Sequence, residues 1–193
     1  MKSIILLFGL LVFPLTTIAA EEDPRAADRE VLRALLADFE TSLNEKNLEK
    51  LLGHLDEQAV MSFMTTETAV GKEAVKAYYD KMFKGDDAPL TDHKTKASLD
   101  TKAIFHGDTI VASGRTNDIF TLKDGSIYNF NTRWVASAVK KQGNWKVVSV
   151  DFSVDPFKNI VMEELQSKVW TYAIMAFIVG LIVAFFIGCT RKN

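Results

Sequence analysis

Apolar positions recur at every second residue through four successive runs between residues 95 and 155, the most regular pattern in the chain. A period of two sends alternate side chains to opposite faces of an extended backbone, so each run predicts a strand with one buried face. In the first, Ala97, Leu99, Thr101, Ala103 and Phe105 alternate with Lys96, Ser98, Asp100, Lys102 and Ile104, and His106-Gly107-Asp108 ends the strand. The second, 109–122, aligns Ile110, Ala112, Gly114, Thr116, Asp118, Phe120 and Leu122 on one face, and Lys123-Asp124-Gly125-Ser126 reads as a hairpin turn. The third carries Tyr128, Phe130, Thr132, Trp134, Ala136 and Ala138 on one side and Asn129, Asn131, Arg133 and Ser137 on the other. A turn at residues 140–144 leads to the last strand, 145–154. Connections this short force neighbouring strands to be antiparallel, which predicts a meander.

Upstream the period changes. After an acidic lead, Glu21-Glu22-Asp23-Pro24, Asp28 is placed to cap a helix in which Leu32, Leu35, Leu36, Phe39 and Leu43 recur at helical spacing. Asn47 is the expected cap of a second, short helix bearing Leu48, Leu51, Leu52 and Leu55. Residues 59–64 then read as a strand and 65–68 as a loop. Gly71-Lys72-Glu73-Ala74 opens a third helix with Val75, Tyr78, Tyr79 and Met82 on one side, closed by Gly85. Covering helices that all precede the main sheet predict an α+β domain, an antiparallel sheet with three amino-terminal helices on one face.

The two ends change the picture from a plain domain to a tethered one. Met1-Lys2, an apolar run from Ile4 to Leu15, and small residues at Ala19 and Ala20 have the layout of a secretory signal. From Trp170 to Cys189 no residue is charged, and twenty positions at ~1.5 Å each cross a hydrocarbon core of ~30 Å. Trp170 and Tyr172 suit the outer interface, and Arg191 and Lys192 place the carboxyl terminus in the cytoplasm by the positive-inside rule. The expected organisation is a signal peptide (1–20), a flexible lead (21–27), the folded domain (28–155), a juxtamembrane connector (156–168), a transmembrane helix (169–189) and a cytoplasmic tail (190–193). The protein is thus expected in the cell membrane as a single-pass chain with its domain on the periplasmic, extracytoplasmic side. With Lys2, Arg191 and Lys192 set aside, 20 of the 23 basic residues face 25 acidic ones, a net charge of −5 that argues against a nucleic-acid partner. The single cysteine, Cys189, lies at the membrane edge and can staple nothing in the domain. Within the span Ala176, Gly180, Ala184 and Gly188 recur every fourth residue, a row that permits close helix packing in membranes.

Three stretches taken in order resemble the nuclear transport factor 2-like superfamily, the cone-shaped fold shared by ketosteroid isomerases and SnoaL-like polyketide cyclases. They are the amphipathic first helix followed by Asn47-Leu48-Glu49, the helix start Val70-Gly71-Lys72-Glu73-Ala74-Val75, and the closing strand Gly143-Asn144-Trp145-Lys146-Val147-Val148-Ser149-Val150-Asp151-Phe152-Ser153. The resemblance covers about residues 28–155. It implies a bent sheet and helices enclosing a cone, and pairing of two chains through the outer sheet face. In members that are enzymes, it also implies acids, bases or donors at inward strand positions.

The residues narrow the chemistry. Ketosteroid isomerases resemble one another in an aspartate just after the strand that follows the second helix, where this chain has Ser62-Phe63-Met64 and no carboxylate. Epoxide-hydrolase relatives use an Asp-Arg-Asp set, for which Asp118, Arg133 and Asp151 are the available residues. Asp118 shares the alternation of Ile110, Ala112 and Phe120, so a regular strand points it inward, where loss of water raises its pKa unless donors compensate. A bulge would instead leave it solvated or paired with Arg115 or Arg133. Asp151 shares a face with Trp145, Val147 and Ser149. Tyr78, Tyr128, Trp134 and Trp145 are candidates to line a ligand cavity or simply to fill the core. His54, His93 and His106 show no metal-ligand spacing, and no Ser-His-Asp elbow, P-loop or Gly-rich dinucleotide motif occurs, so neither metal nor cofactor is expected. Two functions remain. One is a tethered module that binds a small apolar ligand or a membrane-protein partner, or pairs as a homodimer; the other is an enzyme using Asp118 or Asp151 as a general base on a small apolar substrate.

Overall fold

The computed structural model describes residues 23–190, so the expected signal segment and residues 191–193 of the tail lie outside the described residues. Helices α1 (Ala26–Asn44) and α2 (Leu48–His54) are followed by strands β1 (Leu55–Ser62) and β2 (Thr68–Val70) and helix α3 (Lys72–Phe83). Then come β3 (Leu90–Leu99), β4 (Ile104–His106), β5 (Thr109–Leu122), β6 (Ile127–Lys141), β7 (Asn144–Val154) and a long helix α4 (Ile160–Thr190). The sheet runs β2-β1-β7-β6-β5-β3, with β4 also paired to β5. The expected meander is present, since β3, β5, β6 and β7 are successive antiparallel neighbours. Its β6–β7 connection is the two-residue turn Gln142-Gly143, and both residues take positive φ, 52° and 81°, the backbone whose twist matches a two-residue hairpin.

Several local expectations are corrected. The run 96–105 is not one strand: β3 begins six residues earlier, at Leu90, and stops at Leu99, and β4 resumes at Ile104 on the same edge of β5. Between them the Asp100 carboxylate is drawn to the outer face by Arg115 and Arg133, at 3.2 and 3.3 Å. β1 starts at Leu55 rather than 59 and lies parallel to β7, the one parallel pair in the sheet, while the expected loop runs into the short strand β2. Parallel pairing joins residues some ninety positions apart and leaves no local pattern to read. Asp28 does not cap α1, which begins at Ala26 with no side-chain cap bond; its carboxylate accepts from Lys140 Nζ at 2.6 Å and Trp145 Nε1 at 3.1 Å instead. Asn47 does cap α2, accepting from the Lys50 amide at 3.0 Å.

Packing follows from these placements. Leu51, Leu55, Ala59, Met61, Val75, Val147 and Val150 form one buried cluster between α2, α3 and the β1–β7 side of the sheet. Ile110, Ala138 and Trp145 form a second at the narrow end, covered by Leu32 and Leu35 of α1. The free edge of β3 is closed by side chains of α1. The Asn44 amide accepts from Thr95 N at 2.8 Å and donates to Thr95 O at 2.9 Å, and Glu40 accepts from Ala97 N at 2.9 Å. An edge strand covered in this way offers no template for pairing with another chain.

α4 is 31 residues long, about 46 Å at ~1.5 Å per residue. Within its segment Ile160–Phe185 an 18-residue stretch has a mean hydropathy of 2.0 with none of it buried, which makes the helix long and apolar enough to cross a membrane. The expected connector is helical from residue 160 onward and runs directly into the apolar segment. Ala176, Gly180 and Ala184 lie on one exposed face of it, and the surroundings of Gly188 lie outside the described residues.

Candidate functional site

Because β3, β5, β6 and β7 each bury one face and the helices cross only part of the concave side, the sheet and helices enclose a cavity of about 780 Å³. Its walls are apolar: Leu32, Leu36 and Phe39 from α1, Tyr79 and Met82 from α3, and Ala112, Phe120, Phe130, Ala136 and Phe152 from the strands. Across the middle runs a polar stripe of buried residues, Thr95 on β3 and Thr116 and Asp118 on β5. Asp118 is 5% exposed, so the period-two reading of β5 holds through this position without a bulge.

Asp118 is paired, but not with an arginine. Its Oδ1 lies 3.0 Å from His93 Nε2, and its Oδ2 accepts from the Thr116 hydroxyl at 2.5 Å. The His93 ring stacks on Phe120 with centroids 4.4 Å apart and planes 4° from parallel. Burial pushes the Asp118 carboxyl up, but hydrogen bonds from His93, Thr116 and Thr95 outweigh it and hold the group below the ordinary aspartate value. A carboxylate bonded on both oxygens and held below its ordinary value is a weaker proton acceptor than a free one. Asp118 positions His93, the basic side chain of the pair, which itself lines the cavity. With Nε2–H donating to the carboxylate, the lone pair of the ring falls on Nδ1.

The other candidates separate. Asp151 is exposed, because a register slip between β6 and β7 at Ser137/Ala138 reverses the phase of β7 after Val147. Val150 and Phe152 then face inward and Asp151 outward, beside Ser62 and Thr68 in a shallow depression. Arg133 also faces outward, so an Asp118-Arg133-Asp151 set does not converge. Tyr78 lines the cavity, stacked on Phe63 at 3.6 Å with its hydroxyl 3.1 Å from Thr65 Oγ1. Trp134 lines it too, laid across Gly114. Tyr128 lines the end nearest α4, where Glu164 beside its hydroxyl raises its pKa. Trp145 is not in the cavity wall; it packs with Ile110 and Ala138 and serves Asp28. Among the described residues no group of three His, Cys, Asp or Glu is placed to hold a metal ion.

His93 is the residue that the sequence pattern passed over. The signal was present: continued two residues back from Thr95 in the same phase, the alternation of Thr95, Ala97 and Leu99 puts His93 on the inward face.

Solved structures with this arrangement share little sequence with the chain. Hexachlorocyclohexane dehydrochlorinase LinA-type3 from Novosphingobium barchaimii superposes with a TM-score of 0.59 at 15% identity, over 70% of this chain and 92% of that one. A nuclear transport factor 2-like superfamily protein from Salmonella enterica gives 0.57 at 13% identity, over 69% and 95%. The fold is the nuclear transport factor 2-like cone. A protein with a cystatin-like fold from Caulobacter vibrioides gives 0.55 at 14%, over 66% and 89%. No family model matches the chain, and no curated protein matches it.

Proposed function

We propose that the chain is an exported, single-pass membrane protein whose cone holds one small, largely apolar molecule beside the bilayer, with the His93–Asp118 pair as its polar contact. The carrying observation is a cavity of about 780 Å³ with apolar walls around one hidden, doubly bonded carboxylate. Volumes of ~300–1,000 Å³ with a few converging polar groups are typical of small-molecule sites. The test uses 2-naphthol, two apolar rings with one hydroxyl, added to the full chain in phosphatidylcholine nanodiscs. Tryptophan quenching should saturate, and Ala112→Phe, which fills the wall, should weaken it at least tenfold. Quenching that does not saturate, or that Ala112→Phe leaves unchanged, would refute the reading.

The same pair favours a second reading as an enzyme. An imidazole oriented through one nitrogen by a carboxylate is a general base, and a dehydrochlorinase, whose name denotes elimination of hydrogen chloride, stands among the structures of this fold. The hydroxyl of 2-naphthol activates ring carbon C1. Deuterium uptake there from heavy water, faster with the wild type than with His93→Gln, would mark proton transfer; equal uptake in both would leave binding alone.

A further inference from the structure

One end of the cavity lies beside α4. It is lined by Met82, Phe83, Leu122, Tyr128, Phe130 and Val154. Val154 is the last residue of β7, α4 begins six residues later at Ile160, and Glu164 on α4 lies beside the Tyr128 hydroxyl. Trp170, the first residue of the uncharged run, is only six residues beyond Glu164, ~9 Å along the helix axis. The first turns of α4 also expose apolar side chains, Val161 at 50% and Leu165 at 55%, and Phe157 just before them is 86% exposed. Such residues, mixed with Glu163, Glu164 and Lys168, suit the headgroup boundary of a bilayer. The α4 end of the cavity therefore sits at the membrane surface.

Size and charge limit what can enter. Taking a methylene at roughly the ~30 Å³ of a water molecule, one chain of about 18 carbons fills ~540 Å³ and two fill ~1,080 Å³, so 780 Å³ admits one chain and not two. The polar stripe begins at Asp118, four residues in from Leu122 and thus ~14 Å inside the hairpin end. The carboxylate there has imidazole and hydroxyl partners, while Arg115 and Arg133 face the opposite side of the sheet. An anionic head at the stripe would meet Asp118, whose bonded partners are His93 and Thr116 and not a lysine or arginine, the lining cations Arg29, Arg33 and Lys102 coming from α1 and the β3–β4 segment; a hydroxyl finds donors and acceptors in His93, Thr95 and Thr116.

We propose that the cone draws its occupant from the adjoining leaflet, and that this occupant is a neutral single-chain amphiphile with a hydroxyl head, seated head-first at the His93–Asp118 stripe with its tail toward α4. The proposal rests on the binding reading above and adds the source and the head chemistry. The full chain is reconstituted in phosphatidylcholine liposomes containing a diazirine-bearing octadecanol or, in parallel, the matching octadecanoic acid, then irradiated, and adducts are mapped by mass spectrometry. The alcohol should label cone residues such as Met82 and Phe130 as well as α4, at least fivefold more than the acid does. Inserting a Gly-Ser segment of about 20 residues after Asp155 frees the cone from the surface and should cut cone adducts at least fivefold, with 2-naphthol binding intact. Adducts confined to α4 while 2-naphthol still binds would overturn membrane entry and leave the binding reading standing. Equal labelling by the acid would overturn the hydroxyl head, unchanged adducts after the insertion would overturn the leaflet route, and failure of both probes would remove the binding reading itself.

Discussion

At the scale of single residues, Asp118 shows how burial and partners compete. Isolated in an apolar wall, its carboxyl would titrate high, and its neutral replacement would stabilise the fold. With His93 and Thr116 on its two oxygens the sign reverses. Hydrogen bonds to a charged group contribute roughly 1.5–3 kcal/mol each, so Asp118→Asn, which turns one acceptor into a donor, should cost about 1–3 kcal/mol and lower the melting temperature. Thermal melting of the full chain followed by circular dichroism at pH 7 checks this, and a higher melting temperature would mean that the pairing is absent. The folded pKa is lowered, so this contribution is present above the unfolded value of ~3.9 and is lost as pH falls through the folded one. The sequence made the inward direction of Asp118 legible through its alternation; its partner was not, because His93 is 25 residues away and meets Asp118 only through the β3–β5 register.

At the scale of elements, strand pairing decides which residues share a face. Thr95 lies opposite Asp118 and His93 opposite Phe120, and this register assembles the pair. Gly114 protects it. A Cβ there would fall 1.9 Å from Ser98 O and 2.5 Å from Trp134 Cζ2, so the glycine is what lets β3 and the Trp134 indole close over β5. Gly114→Ala should therefore destabilise by at least the roughly 1–3 kcal/mol of an overpacked core. It should also open the β3–β5 pairing, seen as faster amide exchange at Lys96 and Ser98, which alternate with the Thr95 and Ala97 amides directed at α1, than at Leu51, which lies in the other cluster. Uniform exchange across both sites would argue against a local role. The register slip in β7 is the counterpart, a one-residue shift that moves Asp151 to solvent.

At the scale of the molecule, one ionic junction ties α1 to the far ends of β6 and β7. Asp28 is held at about 2 by hydrogen bonds from Lys140 and Trp145, against the cost of burial, with Arg25 adding a further bond. The folded value lies below the unfolded one, so the junction contributes above pH ~4 and fades as pH falls toward about 2. Asp28→Asn should lower the melting temperature at pH 7, and the gap from wild type should close between pH ~4 and ~2. A gap that persists below pH 2 would show that geometry rather than charge makes the junction.

What the sequence determined by itself is what short-range periodicity and composition encode. This includes the four-strand meander, the helices ahead of it, the cone fold they imply, the inward face of Asp118, and a helix apolar and long enough to span a bilayer. Burying a strand face or crossing a hydrocarbon core demands a pattern within a few consecutive residues, so the pattern can be read there. The tertiary structure alone decided the parallel β1–β7 pairing, the reversal at Asp151, the turning of Asp28 from cap to junction, and the meeting of His93 with Asp118. Each depends on register between segments distant in the chain, where a shift of one residue exchanges inside for outside and no local signal records which register wins.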